Sequence, residues 1–395
     1  MYDFDEIIDR RGTDSVKWDG FESQGKPKDV LPMWVADMDF RSPKPVLDAL
    51  HKRIDHGVYG YTMVSDTYKE AVVNWMSRRH HWQIDSNWII TSPGVVAALK
   101  IAVNALTKEK DSIIIQKPVY YPFDFAIALN NRRIIRNYMN YDGSKYTINF
   151  EDFEQKIIDH NVKLYILCNP HNPVGRVFTQ EELQRLGDIC KKHNVIVISD
   201  EIHQDIVFKG YTHIPFYNVD PSFKEFSVVF TAPSKTFNLA GLQTSNIIVA
   251  NEKIRNQLQS QIDKSGISQP NLLGLLACQT AYNECEDWCD EMIAYVEGNI
   301  HFMSDFLQTR IPELKMIQPE GTYLVWLDCR ALHMDCDALE KFMLEKAKLW
   351  LDEGYIFCKK EGAGCERINI AAPRKVIERA LLQLEEAVKS IGVHA

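Results

Sequence analysis

From about residue 70 to residue 290, short β-rich apolar runs alternate with longer amphipathic stretches, and this alternation constrains the fold more than any other feature of the sequence. The candidate strands are 88–91, 112–116, 163–168, 195–199, 227–231 and 246–250; candidate helices include 94–106, 179–193 and 271–284. Strands separated by helical segments imply a mostly parallel sheet covered by helices on both faces. Thr179 followed by Glu182 reads as a capping box opening one of those helices. After residue 290 the pattern changes. A long helix over 287–310, a strand over 322–328, a helix over 337–349, a strand over 367–371 and a terminal helix over 373–391 form a smaller α+β unit. The first 45 residues are rich in Asp, Gly and Pro, lack a period, and are free to wrap onto that unit. At 395 residues the chain exceeds what one hydrophobic core usually supports. The expected division is a large domain, 46–289, and a small domain built from 1–45 and 290–395.

A formal charge of −9 makes the chain a poor general partner for nucleic acid or anionic lipid. The N-terminus, Met1 to Arg11, is acidic and mixed, without the apolar stretch of an export signal, and no apolar run approaches the roughly 18 residues of a membrane span. Nine cysteines (168, 190, 278, 285, 289, 329, 336, 358 and 365) contain no C-x-x-C pair, which suggests reduced thiols in a cytoplasmic protein. The twelve histidines are scattered, and His80-His81 lacks ligand spacing, so no metal site is expected. The sequence contains no H-E-x-x-H, G-x-S-x-G, P-loop or G-x-G-x-x-G.

Ligands of open α/β sheets bind beyond the carboxyl ends of the strands. After the first run comes Ser92-Pro93-Gly94-Val95-Val96, a glycine turn into a helix whose free N–H groups suit an anion, although an ordinary turn reads the same way. After 163–168 comes Asn169-Pro170-His171-Asn172-Pro173-Val174-Gly175, a rigid turn from which Asn172 can donate into the cleft. After 195–199 comes Asp200, and an unpaired buried carboxylate there needs a cationic partner or a proton. After 227–231 comes Ser234-Lys235, on the same mouth as Asp200 by sheet logic. Each charge alone has a structural reading. Together, an anion-binding helix end, an amide, an acid and a lysine suit pyridoxal 5'-phosphate (PLP), with Lys235 forming the Schiff base and Asp200 keeping the pyridine nitrogen protonated.

Asn-Pro-His-Asn-Pro-Val-Gly (169–175), Ser-Asp-Glu-Ile-His (199–203) and Ser-Lys-Thr-Phe-Asn-Leu-Ala-Gly-Leu (234–242) resemble the motifs of fold-type I aminotransferase-like enzymes. Together with Pro-Met-Trp-Val-Ala-Asp-Met-Asp-Phe (32–40) and Pro-Val-Tyr-Tyr-Pro (118–122), they resemble more narrowly the MalY/PatB-type cystathionine β-lyases, or C–S lyases. The likeness runs along essentially the whole chain. It implies that Lys235 carries the cofactor, Asp200 meets its ring nitrogen, Asn172 bonds its ring hydroxyl oxygen and Tyr120 stacks on the ring. It places Gly94, Val95, Val96 and Ser234 around the phosphate, with Tyr61 reaching the phosphate of a second subunit in a homodimer. Arg367 would clamp the substrate α-carboxylate beside Ala36, with Arg374 as its rival. Two departures from the standard transaminases stand out. His203 replaces the usual tyrosine three residues after the aspartate, and Gln243 replaces the usual base eight residues after the lysine. Both suit the lyase branch. The implied activity is α,β-elimination of cystathionine and related cysteine S-conjugates to pyruvate, ammonia and a thiol. The alternatives are an aminotransferase and a non-catalytic binding or regulatory protein of the same fold.

Overall fold

In a computed structural model, which describes residues 2–392, the apolar runs assemble into a seven-stranded sheet. Its strands are β1 (Ile89–Ser92), β2 (Ser112–Lys117), β3 (Arg133–Tyr138), β4 (Val162–Cys168), β5 (Ile196–Asp200), β6 (Ser227–Thr231) and β7 (Ser245–Ile248), in the spatial order β1-β7-β6-β5-β4-β2-β3. Only β7 is antiparallel to its neighbours; every other pairing is parallel. Since β7 opposes both β1 and β6, the carboxyl ends of β1, β4, β5 and β6 all open on one side.

The absence of alternation in these runs has a direct cause. Ile114 of β2 packs into one apolar cluster, while its neighbours Ile113 and Ile115 pack into another on the opposite face. With both faces covered by helices, every position is a core position. Truncating one such isoleucine to alanine costs about 2–5 kcal/mol. The edge strand β3 behaves differently. Arg133 is exposed, Arg136 is exposed, and the sequence gives no apolar run to announce it.

A second sheet, β8 (Lys315–Ile317), β9 (Leu324–Asp328), β10 (Asp352–Glu353) and β11 (Cys365–Asn369), is antiparallel throughout, in the order β8-β9-β11-β10. The helix Glu286–Arg310 packs against β8 and against the helix Arg374–Ser390, which in turn packs against the segment Leu349–Trp350. Leu31–Pro32 pairs in parallel with Leu349–Trp350, which docks the N-terminal segment onto the C-terminal region. The helix Gln180–Lys192 begins at the expected capping box: Glu182 N donates to Thr179 Oγ1 at 3.2 Å, and Thr179 N donates to Glu182 Oε2 at 2.9 Å. The strand expected to start at Thr322 starts at Leu324, because Thr322 takes a left-handed φ of 68°. The helix expected to reach residue 349 ends at Glu345, and Leu349 belongs to a strand instead. All nine cysteines are free thiols. No helix among the described residues is long and apolar enough to cross a membrane.

Candidate active site

A cavity of about 180 Å³ opens at the carboxyl ends of the parallel strands, and ten of the twelve expected site residues line it: Ala36, Gly94, Val95, Val96, Tyr120, Asn172, Asp200, His203, Ser234 and Lys235. Gly94 caps the helix Val95–Leu106 with a φ of 111°, a conformation L-residues rarely adopt, and no side chain caps that helix. Its first N–H groups are therefore left for an anion in the cavity. Ser234 stands beside them, as do Gln243 and Thr244, two residues that the strand-end reasoning did not assign to the site. Lys235 is the only lysine or arginine in the cavity wall among the described residues.

Asp200 ends β5 and is 4% exposed. Its Oδ1 accepts from Ile202 N at 3.2 Å, and no ion pair to it is present among the described residues. Burial pushes its carboxyl up to about 7, which the Ile202 bond and the nearby Lys235 charge only partly offset. Lys235, at the turn after β6, donates from Nζ to Ala36 O at 2.6 Å. Burial pulls its amine down to about 8. An acid held near neutrality and an amine brought toward it are the pair of perturbed groups that active sites favour.

His203 is buried and held neutral by burial and by the charges of Lys235 and Arg367; its Nδ1 has no partner. Tyr120 packs beside Phe123 and lines the cavity. Asn172 accepts on Oδ1 from Arg367 Nη1 at 3.0 Å. Arg367 itself lies one residue behind the wall. It is 2% exposed, donates from Nη2 to Trp34 O at 2.8 Å and to Asp352 Oδ2, and leaves a buried Nε unpartnered. The rival Arg374 is spent elsewhere, on Asn299 Oδ1 at 2.6 Å. Tyr61 is not among the residues lining this cavity and is 99% exposed, within a loop where Val58, Tyr59 and Met63 are also exposed.

The residues present fit PLP. Asp200 is a buried acid lacking a cation, which a pyridinium N–H would supply; His203 Nδ1 is an orphan aimed at no protein group; and the uncapped helix end with Ser234 suits a phosphate. Besides Thr244, two residues that act on the site from behind its wall were absent from the sequence expectations. Asp352 pairs with Arg367 across β10 and β11, and the Tyr323 hydroxyl donates to Ala36 O at 3.0 Å. Neither carries a motif; only the register and a turn bring them here.

Comparison with known proteins agrees with this geometry. The model of the family "Aminotransferase class I and II" matches residues 29–384. Cystathionine beta-lyase PatB of Bacillus subtilis is 41% identical over 98% of this chain and 99% of its own length. Protein MalY of Escherichia coli is 32% identical over 99% and 100%. Among solved structures, cystalysin of Treponema denticola, which contains pyridoxal 5'-phosphate, superposes with a TM-score of 0.95 at 43% identity, covering 99% of this chain and 100% of that one. The PLP-bound C–S lyase of Staphylococcus hominis does so with 0.91 at 35% identity, covering 98% of each. The chain belongs to the class I and II aminotransferase family and has the fold of fold-type I PLP-dependent enzymes.

Proposed function

We propose that this protein is a PLP-dependent carbon–sulfur β-lyase that cleaves L-cystathionine and related cysteine S-conjugates to pyruvate, ammonia and a thiol. The observation that carries the cofactor is Asp200, a buried acid with no protein cation, facing Lys235 across a cavity with an uncapped helix end. Lyase is favoured over transamination by the full-length relatives named cystathionine beta-lyase, against 24% identity to the aspartate aminotransferase of Geobacillus stearothermophilus.

Bound here, the cofactor supplies an aldehyde for amine exchange and a protonated ring that delocalises the charge left at Cα. The protein's own groups do the rest. Arg367, steered by Asn172, takes the substrate α-carboxylate, with Ala36 alongside. Lys235 Nζ, neutral in a fraction that its lowered pKa makes large near pH 8, removes the Cα proton. A sulfur on Cβ then leaves as thiolate. Asp200 holds the ring nitrogen's proton, Tyr120 covers the ring, and His203 with Asn172 bonds its oxygen substituent. Gly94, Val95, Val96 and Ser234 hold the phosphate.

The exposed Tyr61 loop supports a homodimer in which Tyr61 completes the phosphate site of the other subunit, which compensates for the missing base at Gln243. The presence of two separate sheets supports a division into domains 46–289 and 1–45 with 290–395, and nine free thiols suit the cytoplasm. The deciding experiment is incubation of the purified holoenzyme with cystathionine. Pyruvate and thiol released without a 2-oxo acid support the lyase; strict dependence on the acceptor makes it an aminotransferase.

A further inference from the structure

Residues 34–39 pass beside the cavity without regular secondary structure, yet they are tied down on every side. Asn369 Nδ2 donates to Val35 O and Asp37 O, each at 2.6 Å. Asn238 Nδ2 donates to Met38 O at 2.9 Å and its Oδ1 accepts from Met38 N at 3.0 Å. Arg10 bridges the carboxylates of Asp37 and Asp39 at 2.6 and 2.7 Å, and the buried Lys17 binds Asp39 at 2.7 Å. Within this clamp Ala36 O lies at the cavity wall. It accepts two donors, Lys235 Nζ at 2.6 Å and the Tyr323 hydroxyl at 3.0 Å.

Tyr323 is fully buried and reaches Ala36 from the turn before β9. Thr322, immediately before it, holds a φ of 68°. A β-branched residue adopts that conformation only where its surroundings over-determine it, and such strain gathers at functional sites. The surroundings are present here. Thr322 N donates to Ile206 O at 2.8 Å, Glu320 N and Gly321 N both donate to Gly175 O at 2.8 and 3.0 Å, and Ile370 N donates to Tyr323 O at 3.0 Å. A strained, fully tied turn therefore aims one phenol at one carbonyl.

We propose that the Ala36 carbonyl is the seat on which the free amine of Lys235 rests when the incoming amino acid displaces it from the cofactor, and that Tyr323 is the positioning residue that fixes this seat. The inference rests on the PLP reading above. Lysine carries its amine on a flexible four-carbon stem, so an amine released into the cavity keeps its aim only if an acceptor holds it. Asp200 does not, since no ion pair joins it to Lys235 among the described residues. A carbonyl oxygen has two lone pairs, and Tyr323 occupies one permanently. Ala36 O thus keeps its direction while Lys235 comes and goes.

The test is Tyr323→Phe, which removes the hydroxyl and keeps the ring beside His203. We expect kcat for pyruvate release to fall about tenfold with KM within twofold of wild type, because aim and not affinity is lost. The apoprotein of the variant should also capture pyridoxal 5'-phosphate more slowly by a similar factor, read from the rise of cofactor absorbance. A loss confined to KM, or unchanged rates in either assay, overturns the proposal. So does a crystal structure of the wild-type holoenzyme with an unreactive amino acid in which Lys235 Nζ rests away from Ala36 O. Wild-type protein that captures the cofactor but releases no pyruvate from cystathionine defeats the lyase reading alone and leaves the capture comparison valid.

Discussion

Arg367 and Asp352 are register partners on neighbouring antiparallel strands, and both hydrogens of Arg367 Nη2 are committed, one to the Asp352 carboxylate and one to Trp34 O. The guanidinium proposed to grip the substrate is therefore already neutralised by a buried acid, whose own carboxyl burial pushes up to about 6 despite the arginine. Removing one partner of a buried pair strands the other charge. Asp352→Asn should lower the stability of the protein by about 3 kcal/mol. Acetate, as a replacement anion for Arg367, should restore part of it by mass action, and restore more than it adds to wild type. Denaturant unfolding with and without acetate reads both effects; equal acetate responses in the two proteins would refute the pairing.

Asp200 gives a pH dependence of definite sign. Its folded value of about 7 lies above the ordinary 3.8 because burial disfavours the anion. The folded apoprotein thus binds this proton more tightly than the unfolded chain, and the contribution of Asp200 to stability is lost as pH rises from about 4 to about 7, by about 4 kcal/mol. Asp200→Asn removes the ionisation. Its apoprotein should be the more stable at pH 8, with the gap closing toward pH 4. Cofactor should narrow that gap in wild type by giving the carboxylate its pyridinium partner. Thermal unfolding of both proteins across this range decides it, and an advantage of Asp200→Asn over wild type that does not grow between pH 4 and 8 sinks the account.

On the proposed reading Lys235 supplies the amine, so Lys235→Ala should abolish both turnover and the borohydride-reducible cofactor linkage. In the wild-type apoprotein the rate of linkage should climb about tenfold per pH unit below about 8 and then level off, since only the neutral amine attacks an aldehyde. A plateau that begins only near the ordinary lysine value of 10.5 would show that burial does not lower this amine.

Much of this was legible in the sequence because burial on both sheet faces writes unbroken apolar runs, and because the residues following those runs must meet at one mouth. Asp200, Asn172 and Lys235 were found that way. What escaped has physical reasons. The edge strand Arg133–Tyr138 carries a polar, solvent-facing pattern that no periodicity announces. Thr322 reads as a strand residue by type and sits in a left-handed turn, because tertiary hydrogen bonds override its preference. Tyr323 and Asp352 join the site through contacts with Ala36 and Arg367, 287 and 15 residues away, and leave no local spacing to read. The preference for Arg367 over Arg374 came from the resemblance alone, and in the structure Arg374 is engaged by Asn299.

The last prediction concerns Tyr61, whose side chain is 99% exposed and has no role within its own subunit's cavity wall. If Tyr61 serves the neighbouring phosphate site, defects in Tyr61 and Lys235 lie in different sites of one dimer. Tyr61→Ala should weaken cofactor binding about tenfold, and Lys235→Ala should be inactive. Unfolding and refolding the two variants together forms mixed dimers in which one site combines an intact Lys235 with an intact Tyr61 from the other chain. Such a mixture should recover roughly a quarter of wild-type activity at limiting cofactor, since half the dimers are mixed and each has one whole site. Recovery no greater than the average of the separate variants would place Tyr61 outside the shared site, and the exposed loop would then need another occupant.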